Sequence, residues 1–177
     1  MIAPGYCIGG KYEVQRLLGE GGMGQVFEAR NLNTGRRVAI KVLLPEYSRD
    51  PAVVQRFLRE ARAATSIHHP NVVDILDLDL DPVQGTPYIV QEYLVGESLE
   101  AYLEAQPEQR VSVVEAMRII MPVLSAMAAA HRLQVVHRDL KPANIFLARG
   151  PDGGMVVKVI DFGIARLGTA TTDVQGG

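Results

Sequence analysis

The chain has 177 residues, 47% hydrophobic and 21% charged, the balance of an ordinary globular protein with a real core. Its 18 basic and 20 acidic residues leave a net charge of -2, which excludes nucleic-acid binding driven by bulk positive charge. A single cysteine, Cys7, excludes an internal disulfide and fits a reducing compartment.

No apolar run reaches the ~18 residues that a membrane helix needs. The N-terminus lacks the basic stretch and apolar core of a signal peptide. The expectation is therefore a cytoplasmic chain without membrane or nucleic-acid contact, either free or as the cytosolic part of a longer, membrane-anchored protein.

The first third alternates. Tyr12, Val14, Arg16 and Leu18 fall on one face of a strand, and a glycine cluster follows. Residues 26–30 and 37–43 read as two more strands around the turn residues Asn33, Thr34 and Gly35, giving an antiparallel meander. Residues 45–51 break the pattern. Asp50 then caps a helix with Pro51 in its first turn, and Val53, Val54, Phe57, Leu58, Ala61 and Ala64 recur at helical spacing to about Ile67. Residues 68–71 form a loop, and 72–80 and 88–94 read as strands around a turn at 81–85.

Past Gly96 the character turns helical. Residues 98–106 make a short helix. Ser112 caps a long one to Arg132, with Glu115 at the capping-box position and Pro122 inside. Short strands are expected at 135–136, 145–148 and 156–160, and the tail from Gly168 has no periodicity. The fold class is α+β. Residues 1–10 form an N-terminal extension, 11–94 a strand-rich lobe with one helix, and 95–177 a helical lobe, with a hinge at 92–96.

Several motifs carry chemistry. In Leu18-Gly19-Glu20-Gly21-Gly22-Met23-Gly24-Gln25-Val26 the glycines let backbone N–H groups approach a phosphate, or simply make a mobile hairpin tip. A strand follows them, not the helix a dinucleotide fold requires. Lys41, in Val38-Ala39-Ile40-Lys41, either holds phosphate oxygens or ends a surface strand. Glu60, mid-helix, can orient Lys41 by an ion pair or pair locally with Arg56.

The stretch Val135-Val136-His137-Arg138-Asp139-Leu140-Lys141-Pro142-Ala143-Asn144 concentrates charge between apolar runs. Asp139 can accept the proton of an attacking hydroxyl, and the Asn144 amide oxygen can ligate a hard cation. Lys141 lies between them, where a transferring phosphoryl group gathers charge. His137 is expected to be packed, and Arg138 to neutralise Asp139 or await an added phosphate. Asp161, in Asp161-Phe162-Gly163 after an apolar strand, suits a metal site or an ordinary Asx turn.

Taken in order, GEGGMGQV, VAIK, HRDLKPAN and DFG, with a helix carrying Glu60 between the second and third, resemble the eukaryotic-type protein kinase set. The Lys-Pro-Ala-Asn form resembles serine/threonine kinases, and GEGGMG and DFGIAR resemble the bacterial branch. The resemblance implies a two-lobe fold whose N-lobe is an antiparallel sheet plus one helix. It also implies ATP and Mg²⁺ as cofactors, and protein Ser/Thr hydroxyls as phosphoryl acceptors. It puts the ATP phosphates under Gly19, Glu20, Gly21, Gly22, Met23 and Gly24, with Lys41 holding the α- and β-phosphates and paired with Glu60. Asp139 becomes the base, Lys141 the γ-phosphate contact, and Asn144 and Asp161 the metal ligands. Leu18, Val26 and Ala39 would cover the adenine, with Phe146 below and Ile160 behind. Backbone groups of Glu92 and Leu94 would bind its edge, and Gln91 takes the gatekeeper position.

The family continues beyond the activation segment, whereas this sequence stops 14 residues after Gly163. The expectation is a part of a larger domain, with Met117, Ile120 and Leu124 of the long helix unpartnered and with weak ATP binding and little phosphotransfer on its own. An alternative use is as a non-catalytic ATP-binding or scaffold module. Thr169, Thr171 and Thr172 sit where the family often carries activating phosphates.

Overall fold

In the computed structural model, which describes residues 2–162, two lobes meet along a cleft. The first is a six-stranded sheet of antiparallel neighbours in the order β1-β2-β3-β4-β6-β5. Its strands are β1 (Cys7–Ile8), β2 (Tyr12–Gly21), β3 (Gly24–Asn31), β4 (Arg37–Leu43), β5 (Ile75–Leu80) and β6 (Pro87–Glu92). Period-two alternation assigns its faces. Val38, Ile40 and Val42 of β4 join Phe27, Ala29, Tyr88 and Val90 in a buried cluster on one face. Ala39 and Lys41 turn to the other.

The expected single face for Tyr12, Val14, Arg16 and Leu18 is not what β2 adopts. Val14 opposes Ala29, but Arg16 opposes Glu28, so two residues of β2 stand against one of β3. This bulge moves Arg16 off the core face that Tyr12 and Val14 occupy, and a second shift lies between Leu17 and Gly19. The segment before Lys11 joins the sheet through β1. Asp81 fastens it there, accepting from the Tyr6 hydroxyl at 2.8 Å and the Gly9 amide at 3.0 Å.

Where residues 45–51 were expected only to break the sheet, a one-turn helix forms, α1 (Pro45–Ser48), because Pro45 is preset for a first helical turn. The longer α2 (Pro51–Thr65) begins as expected: the Asp50 side chain accepts from the Ala52 amide. Phe57 and Ala61 pack it on Leu43 and Ile89.

The second lobe holds β7 (Gly96–Ser98), α3 (Leu99–Glu104), α4 (Val113–Arg132), β8 (Ile145–Arg149) and β9 (Met155–Val159), with sheet order β7-β8-β9. Ser112 caps α4 by accepting from the Glu115 amide. Ile119, Val123, Ala126, Met127 and Ala130 bury one stripe of α4 against Ile145, Leu147, Val157 and Val159. The other stripe is bare: Val113, Met117, Met121 and Leu124 are all more than half exposed. By length and composition α4 could cross a membrane. Its buried stripe and its Glu115, Arg118 and Arg132 read instead as a core helix.

Residues 135–136 are not a strand. The Val135 amide closes the end of α4 on the Ala130 carbonyl, and Val136 is exposed. Residues 72–73 precede β5 rather than belonging to it, and they tie the lobes together. The Val73 amide donates to the Val159 carbonyl at 2.9 Å and the Asn71 side chain to the Val157 carbonyl at 2.8 Å. His69 Nε2 lies 3.1 Å from Ser125 Oγ of α4. Gly163, the tail and Thr169, Thr171 and Thr172 lie outside the described residues.

Candidate active site

Two adjoining hollows fill the space between the lobes. The outer one, about 730 Å³, is lined by Leu18, Gly19, Val26 and Ala39 from the sheet, by Gln91, Glu92, Tyr93 and Leu94 from the connection, and by Phe146 and Ile160. It is a mainly apolar slot edged by backbone. The connection runs from the end of β6 to Gly96. There φ is 151°, and a Cβ would overlap the Leu147 carbonyl oxygen, so only glycine lets the chain turn into β7.

The inner hollow, about 400 Å³, lies under the β2–β3 hairpin and is lined by Gly19, Glu20, Gly21, Gly22, Met23, Gly24 and Val26. A Cβ on Gly19 or Gly21 would meet no protein atom, whereas one on Gly24 would lie 2.7 Å from the Val42 carbonyl oxygen. Gly24 is thus fixed by the neighbouring strand, and Gly19 and Gly21 leave room for a ligand. The floor and walls are Lys41, Asp139, Lys141, Asn144 and Asp161.

Asp139 is held from several sides. Asn144 Nδ2 donates to its carbonyl at 2.8 Å and to its carboxylate at 3.0 Å, and Lys141 Nζ lies 3.1 Å from Oδ2. Burial pushes the Asp139 carboxyl upward, but Lys141 and the Asn144 amide together outweigh it and hold the group below the usual carboxylate range. Because Asn144 spends its NH₂ on Asp139, its amide oxygen is the atom left to face a ligand.

His137 is buried, as expected for a packed residue. The Asp139 amide donates to its Nδ1 at 3.3 Å, which puts the ring proton on Nε2, 2.9 Å from the Ile160 carbonyl oxygen. Its ring also packs on Phe162, with centroids 4.7 Å apart. One imidazole therefore joins the loop bearing Asp139 to the segment bearing Asp161. Arg138 and Asp161 both hold positive φ, 62° and 59°, a strained backbone sustained by these contacts.

The expected Lys41–Glu60 pair is not formed. Lys41 Nζ lies 2.8 Å from Asp161 Oδ1, and Glu60 Oε1 lies 3.6 Å from Arg138 Nη1. Glu60 Oε2 is buried without a hydrogen-bond partner. Burial pushes the Glu60 carboxyl above its ordinary value, against the pull of Arg138 and, less, of Arg56 and Arg59. The physical reason is proximity: in this arrangement the left-handed turn at Arg138 brings its guanidinium to Glu60, while Asp161 is nearer to Lys41. Arg16 and Val73 also border the outer hollow, and sequence reasoning missed both. The β2 bulge and the strut at residues 71–73 place them there, and neither leaves a residue-type signal.

The comparisons agree with this geometry. Residues 12–176 match the family model of the protein kinase domain. The chain is 41% identical to the serine/threonine-protein kinase pkn3 of Myxococcus xanthus, covering 96% of this chain and 30% of that protein. It is 41% identical to the serine/threonine-protein kinase PrkC of Bacillus subtilis (95% and 25%), and 39% identical to PknA of Mycobacterium tuberculosis (98% and 39%). The PknI kinase domain of Mycobacterium tuberculosis superposes with a TM-score of 0.80 at 29% identity, covering 94% of this chain and 64% of that one. The chain belongs to the protein kinase domain family, with bacterial serine/threonine kinases among its relatives. It spans about two thirds of a solved kinase domain and well under half of each of these curated relatives.

Proposed function

We propose that this chain supplies the ATP-binding and catalytic-loop portion of a serine/threonine protein kinase, which moves the γ-phosphoryl group of ATP to Ser or Thr hydroxyls of proteins. The observation that carries the reading is the meeting of Lys41, Asp139, Lys141, Asn144 and Asp161 in one hollow beneath the glycine hairpin, continuous with an apolar slot.

The adenine occupies the slot between Leu18, Val26 and Ala39 on one side and Phe146 on the other, its edge bonded by backbone groups of Glu92 and Leu94. The triphosphate lies under Gly19 to Gly24, where backbone N–H groups of the hairpin tip would meet its charge. Lys41 neutralises phosphate oxygens, and Lys141 meets the charge that gathers on the transferring group. Asp139 orients the acceptor hydroxyl and takes its proton as the new P–O bond forms and the bond to ADP breaks. Asn144 Oδ1 and the Asp161 carboxylate are hard oxygen donors of the kind Mg²⁺ takes, so these two residues would hold the cation. Bound there, the cation supplies charge neutralisation and orientation of the phosphates. The protein works on the cytoplasmic side, where ATP is abundant.

The test is calorimetric titration with Mg²⁺·ATP, followed by incubation with γ-labelled ATP and a general acceptor protein. Saturable binding that Lys41→Met weakens by about tenfold is expected, from loss of a desolvated charge contact. Any label transferred should vanish in Asp139→Asn. No binding at millimolar ATP, or transfer that survives Asp139→Asn, overturns the reading.

A further inference from the structure

Beside the cleft, outside the residues assigned above, lies a charged cluster on strands of the first lobe. Glu28 is nearly buried, its side chain only 11% exposed, between two guanidiniums. Arg16 Nε lies 2.9 Å from Glu28 Oε2, and Arg37 Nη2 lies 2.8 Å from Glu28 Oε1. Both arginines continue to one aromatic ring in the connection. The Arg37 guanidinium sits 4.1 Å above the Tyr93 ring centre, and Arg16 Nη2 donates to the Tyr93 hydroxyl at 3.3 Å.

The sheet register places this cluster at the adenine slot. Arg16 opposes Glu28, Glu28 opposes Ala39, and Ala39 opposes Gln91, so the row shares the cleft-facing side. Arg16, Ala39, Gln91 and Tyr93 all border the outer hollow. Arg16 reaches that side only because of the β2 bulge. An isolated carboxylate is costly to bury, and here it is retained in a place where its two partners converge on the connection. A planar guanidinium over a ring, plus a hydrogen bond to the same ring's hydroxyl, fixes both the tilt and the reach of Tyr93. Tyr93 lies between Glu92 and Leu94, which line the slot and whose backbone groups are proposed to bond the adenine edge. Holding its side chain holds those groups.

We infer that Glu28 is a positioning residue for purine recognition: through Arg16 and Arg37 it braces Tyr93, and so sets the backbone edge that meets the adenine ring. This rests on the ATP reading of the cleft and adds to it a part of the chain remote from the phosphates. It concerns the base alone, because the brace touches neither the glycine hairpin tip nor Lys41.

The test compares two probes on the full chain, adenosine and Mg²⁺·tripolyphosphate, by calorimetry. Glu28→Gln is expected to weaken adenosine by about 3- to 10-fold, as loss of a braced cation–π and ion-pair cluster implies, and to leave tripolyphosphate unchanged. In an Arg16→Gln/Arg37→Gln background, Glu28→Gln should have no further effect on adenosine. Should Glu28→Gln not fold, Arg37→Gln alters an exposed side chain and carries the same comparison. Equal weakening of both probes would mean general loosening of the lobe and overturn the inference. Adenosine binding that is intact in wild type and unchanged in both variants overturns the role of Glu28 alone. A wild-type chain that binds neither probe overturns the ATP reading and this one with it.

Discussion

Lys41 on β4 reaches across the cleft to Asp161, 2.8 Å away, and so joins the two lobes by one ion pair at the place where phosphate and cation are proposed to sit. Both side chains are largely shielded from water, at 13% and 25% exposure, so the pair is not a weak surface contact. Any nucleotide entering the inner hollow competes with it.

That competition gives a crossed prediction. In EDTA, Asp161→Asn should bind ATP about 3-fold more tightly than wild type, since Lys41 is freed and a negative charge is gone. With Mg²⁺ the same variant should bind roughly tenfold more weakly, since a cation ligand is lost. Isothermal titration in both buffers checks it. A change of the same sign in both would deny Asp161 one of its two roles.

Glu60 carries a buried oxygen without a partner, and burial raises its carboxyl above the ordinary value. Its folded value therefore exceeds its unfolded one. The folded state holds the extra proton between them, and stability falls as pH rises through that window. Glu60→Gln should raise stability at pH 7 by about 1 kcal/mol, the scale of one unsatisfied buried polar atom. The gain should shrink as pH falls toward the unfolded carboxylate value. Thermal melts across that range measure it.

His137 acts with the opposite sign. Burial lowers its basicity, and a proton on Nδ1 would face the Asp139 amide that now donates there. The contribution of the neutral ring is present above the unfolded histidine value, about 6.5, and is lost as pH falls through the depressed folded value. His137→Leu should cost about 2 kcal/mol at pH 7.5, by orphaning the Ile160 carbonyl and the Asp139 amide. Chemical denaturation should show the gap between wild type and variant narrowing below pH 6.5.

Gly96 and Gly153 both have positive φ, 151° and 81°, but only Gly96 presses on a neighbouring backbone. Gly96→Ala should destabilise by at least about 3 kcal/mol, combining strain with overlap against Leu147, and should displace the edge of the outer hollow. Gly153→Ala, into open space, should cost about 1 kcal/mol. Denaturation midpoints of the two variants separate conformational strain from collision.

The sequence is most informative where one residue does one thing. Asp50 and Ser112 cap the helices they precede, and β4 alternates as written, because capping and period-two burial are local. The convergence of GEGGMG, Lys41, Asp139, Asn144 and Asp161 in one hollow was also legible from motif order. Partner choice was not. Which anion Lys41 meets depends on the relative placement of α2, the loop at Arg138 and the segment after β9, and no local pattern encodes that. The bulge at Arg16 was equally invisible, because shifting a register by one residue leaves composition unchanged while exchanging the faces. Residues 135–136 misled by being β-branched. The Val135 amide finishes α4, and among the described residues no strand pairs with them.

The lobes are held together beside the slot at two places, the connection of residues 92–96 and the contacts that the strut of residues 69–73 makes with Ser125, Val157 and Val159. Two such places define an axis, and an opening that breaks the Lys41–Asp161 and Arg138–Glu60 pairs would swing about that line, like a book on its spine. The slot proposed for the base is lined by residues 91–94, close to that line, and would change little as the covers move. The tip at Gly22, at the end of the β2–β3 hairpin, would move more, so the proposed phosphate site would open through an angle that the proposed base site scarcely feels.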